Sequence, residues 1–371
     1  MKDLPDFETR LRCQSLQKTL ALAPALSVRA GLASRRGSIV RRLDSFCCVP
    51  SIIASLAFAG LLAGCGSKSD SDAPTTGGGS SAKHTIAVIP KGTTHIFWQS
   101  VHAGAQKAGE ELGYAIQWNG PERETDRERQ IQIIEDFIVQ KVDGIVLAPL
   151  DRKALVPSVE KLASLKIPCA IIDSGIDTEQ YVCFAATDNY QGGVIAARRM
   201  GEILQGKGKV VVVKYVPGSG STTERENGFM DTIKKEFSGI EIVDSKYGQD
   251  TVETALQATE DLLTRHPDLQ GIYACNASTA VGALQGLQSQ KRSEVKMVGF
   301  DAEKALIDGL RAGQIDALVV QNPFKMGYEG VKAVVATIKG EKVPKKLDTG
   351  VELITKARLE EPKIKELLKL Q

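Results

Sequence analysis

From Ile86 to Ile354 the chain alternates short apolar runs with segments whose apolar residues recur every three or four positions. The first example is KHTIAVIPKGTTHIFWQSVHAGAQKAGEELG, Lys83 to Gly113. Ile86-Ala87-Val88-Ile89 is apolar throughout and breaks at Pro90. After a polar loop, Lys91 to His95, the residues Phe97, Val101, Ala105, Ala108 and Leu112 mark one buried helix face. A strand that is apolar at every position has both faces covered, which is the condition of a parallel sheet between helix layers. The loop after such a strand lies at the carboxyl edge of the sheet, where open α/β sheets bind ligands. Lys91, His95, Phe97 and Trp98 all stand at that edge.

The pattern repeats. Strands are expected at 145–148, 167–172, 181–186, 209–215, 240–245, 271–275, 295–300, 317–321 and 351–354. Helices are expected around Ile131–Ile138 and over 154–165, 222–237, 251–265, 278–288, 303–312 and 326–339. These are too many units for one small sheet, so the fold class is α/β with two doubly wound parallel-sheet lobes. A length of 371 residues agrees with two domains.

Ahead of this body the character changes. Residues 1–45 are basic and without periodicity. Phe46 to Ala63 is an apolar segment preceded by Arg41-Arg42 and closed by Leu62-Ala63-Gly64-Cys65. A basic flank, a short apolar core and a small-residue end describe a secretory signal, too short and interrupted for a comfortable membrane span. Its ending resembles the lipobox of bacterial lipoproteins, which makes residues 1–65 a leader and Cys65 the lipidation site. An ordinary signal with an incidental cysteine is the plainer alternative. The leader is long for such a signal, so translation starting near Val40 is a second expectation. Gly66 to Ala82, GSKSDSDAPTTGGGSSA, is too rich in Gly, Ser and Thr to pack and reads as a flexible linker.

Composition excludes some functions. A net charge of +2 with no basic stripe gives no field for holding nucleic acid. The four histidines show no metal-ligand spacing. Gly218-Ser219-Gly220 follows a strand but no dinucleotide or Walker pattern continues from it, and no nucleophile elbow is present. No cofactor is expected, and no catalytic residue. Cys169, Cys183 and Cys275 fall inside expected strands as small buried hydrophobes; a Cys169–Cys183 bridge is open if their strands are neighbours.

What the strand ends do carry is hydrogen-bonding side chains. Asp173 ends one strand, Asp301 another, Asn276 follows a third and Gln321 ends a fourth, while Arg225 stands early in a helix. Taken singly, each has a plainer role as a turn cap or a solvated side chain. Together they suit a polyol, because carboxylates accept from vicinal hydroxyls while Arg, Asn and Gln donate. Phe97, Trp98 and Tyr247 would wall the apolar faces of a sugar, or serve as ordinary core and rim residues.

Over Lys83 to about Ile354 the sequence resembles the type I periplasmic binding proteins of the ribose/galactose cluster, the solute receptors of bacterial ABC sugar importers. The resemblance is carried in order by IAVIP–loop–FW, AGAQKAGEELGY, GIVLAP, IPCAIIDS, ATDNYQGG, RENGF, HPDLQGIYACN, AVGALQGL, KMVGFD and GEKVPKK. It implies two lobes joined by a three-crossover hinge near Thr187-Asp188, Gln321-Asn322 and Asp348-Thr349. The N-terminal lobe is then 83–187 plus 322–348, and the C-terminal lobe 188–321 plus 349–371. It also implies ligand contacts from Asp173, Arg225, Asn276, Asp301 and Gln321, aromatic contacts from Phe97, Trp98 and Tyr247, and first-loop contacts from Lys91 and His95.

This chain departs from the ribose type at Lys91, His95, Ser174 and Ala148. Lys91, with Asn119-Gly120-Pro121-Glu122, is closer to receptors for the furanosyl quorum-sensing autoinducer and some rhamnose-type receptors. The resulting expectation is a monomeric, non-enzymatic, lipid-anchored receptor, periplasmic or at the cell surface, that delivers a monosaccharide to an ABC permease and its ATPase. The alternatives are a receptor for the autoinducer or a rhamnose-like ligand, and a sensor subunit for a membrane kinase or chemoreceptor.

Overall fold

The computed structural model describes residues 84–369; the leader, Cys65 and the 66–82 linker lie outside them. The first sheet contains β1 (Thr85–Ile89), β2 (Ala115–Trp118), β3 (Gly144–Leu147), β4 (Cys169–Ile172), β5 (Cys183–Ala186) and β11 (Lys346–Asp348). The second contains β6 (Lys207–Lys214), β7 (Gly239–Tyr247), β8 (Gly271–Ala274), β9 (Lys296–Phe300), β10 (Ala317–Gln321) and β12 (Val351–Ile354). Helices among the described residues are α1 (Ile96–Leu112), α2 (Arg127–Gln140), α3 (Val156–Ser164), α4 (Asn189–Ile203), α5 (Gly220–Glu236), α6 (Val252–Arg265), α7 (Ala277–Ser289), α8 (Lys304–Ala312), α9 (Pro323–Ile338) and α10 (Pro362–Lys369).

The strand orders are β11-β5-β4-β3-β1-β2 and β12-β10-β9-β8-β6-β7. They correspond position by position, so the two lobes are copies of one plan. All pairings are parallel except β12 against β10. The two doubly wound lobes expected from the alternation are therefore present. The chain passes between them three times, from β5 into α4, from β10 into α9, and from β11 to β12.

Period-two burial explains each sheet. In the first lobe Ile86, Val88, Val146 and Ile172 face α1 and α9, while Ala87, Ile89, Ile145 and Ile171 face α2 and α3. This alternation also settles the cysteines. β4 and β5 are neighbours, but Cys183 is in register with Ala170, one residue beyond Cys169. A one-residue offset puts two side chains on opposite faces of a sheet. Cys169 belongs to one core layer and Cys183 to the other, and both are free thiols.

Among the elements that escaped the sequence reading are β2, β11 and α10. β2 is a half-buried edge strand interrupted by Gln117, β11 has three residues, and α10 buries only Ile364. None contains a continuous apolar run.

The helices that cross between lobes are held by reciprocal glycines. In the first lobe, a Cβ on Gly104 of α1 would stand 1.9 Å from the Phe324 carbonyl oxygen of α9, and one on Gly327 of α9 would stand 2.0 Å from that of Val101. The second lobe repeats the device, with Gly193 of α4 against the Arg225 carbonyl of α5 (2.2 Å) and Gly228 of α5 against that of Tyr190 (2.1 Å). Only a hydrogen fits there. Gly193→Ala is expected to lower stability by about 1–3 kcal/mol through backbone displacement, measured as a lower urea midpoint at unchanged slope. An unchanged midpoint would mean that the helices have room to spare.

Candidate functional site

Every strand of both sheets that points its carboxyl end at the facing lobe delivers a loop or a helix start there. Two of these ends share a rare backbone geometry. Asp173, just after β4, has φ 60°, and Asp301, just after β9, has φ 70°. β4 and β9 hold the same place in their two sheets. Non-glycine residues in this left-handed region are uncommon, and the strain of about 1–3 kcal/mol persists where surrounding contacts enforce it. Here it turns both carboxylates into one cavity.

That cavity is small and takes side chains from both lobes. On the first-lobe side, Asp173 Oδ2 is 2.7 Å from Lys91 Nζ, and both side chains are buried. The ammonium also donates to Ser174 Oγ at 2.5 Å and to Ser221 Oγ at 3.2 Å, the latter from the first turn of α5 in the other lobe. On the second-lobe side, Asp301 accepts from the Ala277 backbone N–H (2.9 Å) and from Gln321 Nε2 (2.7 Å). Arg225 Nη1 stands 4.0 Å from it. Burial pushes the Asp301 carboxyl above its ordinary range, against the pull of Arg225, Gln321 and the Ala277 N–H.

Arg225 is built in from every side. Its guanidinium lies over the Phe300 ring at 3.9 Å, Nε donates to Asn189 Oδ1 at 2.8 Å, and Nη1 donates to the Cys275 carbonyl at 3.0 Å. Nη2 makes none of these bonds. Asn276 caps α7, its Oδ1 accepting from the Thr279 N–H, so much of its side chain serves the helix.

The mouth is aromatic and charged. Phe97 and Trp98 meet edge to face with ring centres 4.9 Å apart. Glu124 accepts from Trp98 Nε1 at 2.7 Å and from Tyr215 Oη at 2.8 Å. His95 stands between two carboxylates, 3.7 Å from Glu303 and 3.9 Å from Glu124. Glu303 first, then Glu124, hold its pKa up at about 9 against the opposing effect of burial, so it is an imidazolium at neutral pH.

The structure thus brings Lys91, His95, Phe97, Trp98, Asp173, Arg225, Asn276, Asp301 and Gln321 to one cavity. Tyr247 does not join them. It ends β7, the outermost strand of its sheet, is 42% exposed, and has Lys214 Nζ 5.6 Å from its ring centre. Tyr215, after the neighbouring β6, stands in the wall instead. Glu124, Tyr215, Ser221 and Thr222 line the cavity without having been singled out in the sequence. Thr222 and Ser221 directly follow the Gly218-Ser219-Gly220 turn, which was a readable sign. Thr222 Oγ1 is buried with no hydrogen-bond partner, an arrangement that protein interiors avoid unless something else completes it.

A family profile described as periplasmic binding protein domain matches residues 86–342. The chain belongs to the type I periplasmic sugar-binding proteins. This binding protein is 29% identical over 283 residues to the ribose import binding protein of Escherichia coli strain K12, covering 74% of this chain and 92% of that one. Among solved structures it is similar to a carbohydrate transporter solute-binding protein from Agrobacterium radiobacter in complex with D-arabinose. There the identity is 40% and the TM-score 0.76, over 78% of this chain and 100% of the other. It is also similar to an ABC transporter solute-binding protein from Agrobacterium vitis with bound D-fucose, at 38% identity and TM-score 0.74, over 76% and 99% of the two chains. These relatives are binding and transport proteins, not enzymes, and the family places the protein outside the cytoplasm.

Two variants separate contact from scaffold. Arg225→Ala is expected to weaken sugar binding by about 2–5 kcal/mol, because it leaves the buried Asp301 without its cation, and to lower thermal stability as well. Thr222→Val removes a hydroxyl that has no protein partner, so calorimetric affinity should fall by about 1–2 kcal/mol at unchanged melting temperature. Unchanged affinity in either variant removes that residue from the site.

Proposed function

We propose that this binding protein captures a neutral monosaccharide between its lobes and presents the closed form to an ABC permease with its ATPase. The carrying observation is the pair of buried ion pairs, Asp173–Lys91 from one lobe and Asp301–Arg225 from the other, lining one small cavity beside Phe97 and Trp98. Each carboxylate is already balanced, so a charged guest would leave an uncompensated charge in a desolvated space. Hydroxyls give what remains, accepting from Arg225 Nη2, pairing with Thr222 Oγ1 and Asn276, and donating to the free lone pairs of the carboxylates. The aromatic pair covers an apolar sugar face.

The sugars bound by similar receptors narrow the class. D-Arabinose and D-fucose, bound by the two similar receptors, both lack a C6 hydroxyl, and a pentose or a fucose-type 6-deoxyhexose is the guest we assign. Its hydroxyls engage one lobe first and stabilise closure by satisfying the second. The autoinducer and rhamnose-like readings rested on Lys91 together with Asn119-Gly120-Pro121-Glu122, and Lys91 is committed here to Asp173, Ser174 and Ser221. The named relatives are importer sugar receptors, which favours neither those readings nor a sensor subunit.

Binding of D-arabinose, D-fucose or a close pentose should raise the melting temperature. Saturation at about 100 times Kd contributes about 2.7 kcal/mol, and isothermal calorimetry gives the order of preference. A panel in which only uronic acids or amino sugars bind would overturn the assignment. The protein acts as a monomer held at the membrane, in the periplasm or on the cell surface, by lipid on Cys65, because the small-residue run before that cysteine ends an apolar signal-like segment. Cys65→Ser should move the protein from the membrane pellet to the soluble fraction; an unmoved distribution would refute the anchor.

A further inference from the structure

The loop joining β2 to α2 contains Arg123-Glu124-Thr125, and all three side chains reach the second lobe. Arg123 donates to Asp250 from Nε at 3.2 Å and from Nη2 at 2.7 Å. Thr125 Oγ1 donates to the same carboxylate at 3.1 Å. Between them, Glu124 accepts from Tyr215 Oη of the second lobe and from Trp98 Nε1 of the first. Asp250, in the loop between β7 and α6, is 4% exposed, and every hydrogen bond its carboxylate makes among the described residues comes from the first lobe.

Three consecutive side chains crossing a cleft are more than incidental contact. A buried carboxylate whose donors all belong to the opposite lobe is satisfied only when the lobes meet; when they part it must recruit water instead. Glu124 adds the link to the guest. It shares its two oxygens between an aromatic ring from each lobe, and both rings line the sugar cavity. We propose that Arg123-Glu124-Thr125 is a closure latch, with Asp250 and Tyr215 as its keepers and Glu124 as the positioning residue that joins the two aromatic walls into one clamp. The latch holds the lobes shut around the guest and sets how long it stays. Sugar is needed here only as the readout, so the inference rests on the receptor reading for its kinetics but not for its geometry.

The kinetic test compares wild type with Tyr215→Phe, Arg123→Ala, Asp250→Ala and the Arg123→Ala/Asp250→Ala double variant, using stopped-flow fluorescence with D-arabinose and D-fucose. Tyr215→Phe keeps the ring and removes only the bond to Glu124. Each single variant should speed dissociation about tenfold with association within about twofold, and the double variant should dissociate no faster than Asp250→Ala alone. Unchanged dissociation, a loss confined to association, or independent effects of Arg123 and Asp250 would overturn the latch. The second test needs no sugar. Pulsed electron paramagnetic resonance between one label on each lobe should show a closed component in sugar-free wild type that Arg123→Ala abolishes. Absence of that component, or its persistence in the variant, defeats the latch. Failure of both sugars to bind wild type would instead defeat the sugar assignment, leaving the distance measurement to decide the latch.

Discussion

Four ionisable side chains buried around one small space constrain everything else in this protein. Lys91, Asp173, Arg225 and Asp301 are each at most 6% exposed. The desolvation penalty for such groups is several kcal/mol apiece, offset only when geometry and extra hydrogen bonds are good. The chain meets this condition by pairing each carboxylate with a cation and surrounding both with fixed hydrogen-bond partners: the Ser174 and Ser221 hydroxyls accept from Lys91 on one side, and Gln321 and the Ala277 N–H donate to Asp301 on the other. A strand end in a parallel sheet is well suited to this. Its backbone is pinned by its neighbour, as the Asp301 N–H is by the Val319 carbonyl at 2.8 Å, so the carboxylate cannot relax out of its strained setting. The result is a charge-balanced cavity whose remaining needs are those of hydroxyl groups.

Holding those charges in register is the work of the lobe plan. Each lobe receives one crossing helix, α4 or α9, and packs it against the helix that follows its first strand, α5 after β6 or α1 after β1. Glycines at each contact bring the backbones together until a methyl group would collide. In the second lobe the carbonyl beneath Gly193 is that of Arg225 itself. The residue that balances Asp301 is therefore positioned by the same contact that carries the chain across the hinge. Packing this close has few alternative arrangements, which lets the lobes move as bodies while their rims keep their geometry.

Much of this was legible before the structure. Continuous apolar runs such as Ile86–Ile89 mark doubly covered strands, and polar residues at their ends mark the rim, because burial and strand direction are local properties of sequence. What was not legible depended on partners far along the chain. Glu124 and Asp250 look like solvated acids until Tyr215 and Arg123 are seen opposite them, 91 and 127 residues away. Tyr247 misled for a related reason. The sequence places it at a strand end, but not at the outer edge of its sheet, where the wall is out of reach. β2 and β11 were hidden because edge strands are covered on fewer sides and need no apolar run.

Closure in a receptor has to be reversible, and the contacts between lobes show how the balance is kept. Arg123 is 60% exposed while Asp250 is 4% exposed. An ion pair with one partner in water contributes little, because solvent screens it and holding the long side chain costs entropy. The Arg123-Glu124-Thr125 contacts are therefore weak beside what full closure requires. Moving a two-state equilibrium from almost wholly open to almost wholly closed takes about 5.5 kcal/mol. The latch alone falls short of that, so the lobes do not lock shut unaided. On the proposed sugar-receptor reading a guest that bridges Asp173 and Asp301 supplies the rest, and because Glu124 also fixes Trp98 and Tyr215, the latch engages fully only when the cavity walls are in their closed positions. Strength below the threshold and attachment to the wall are both required if the closed shape is to report that the cavity is filled.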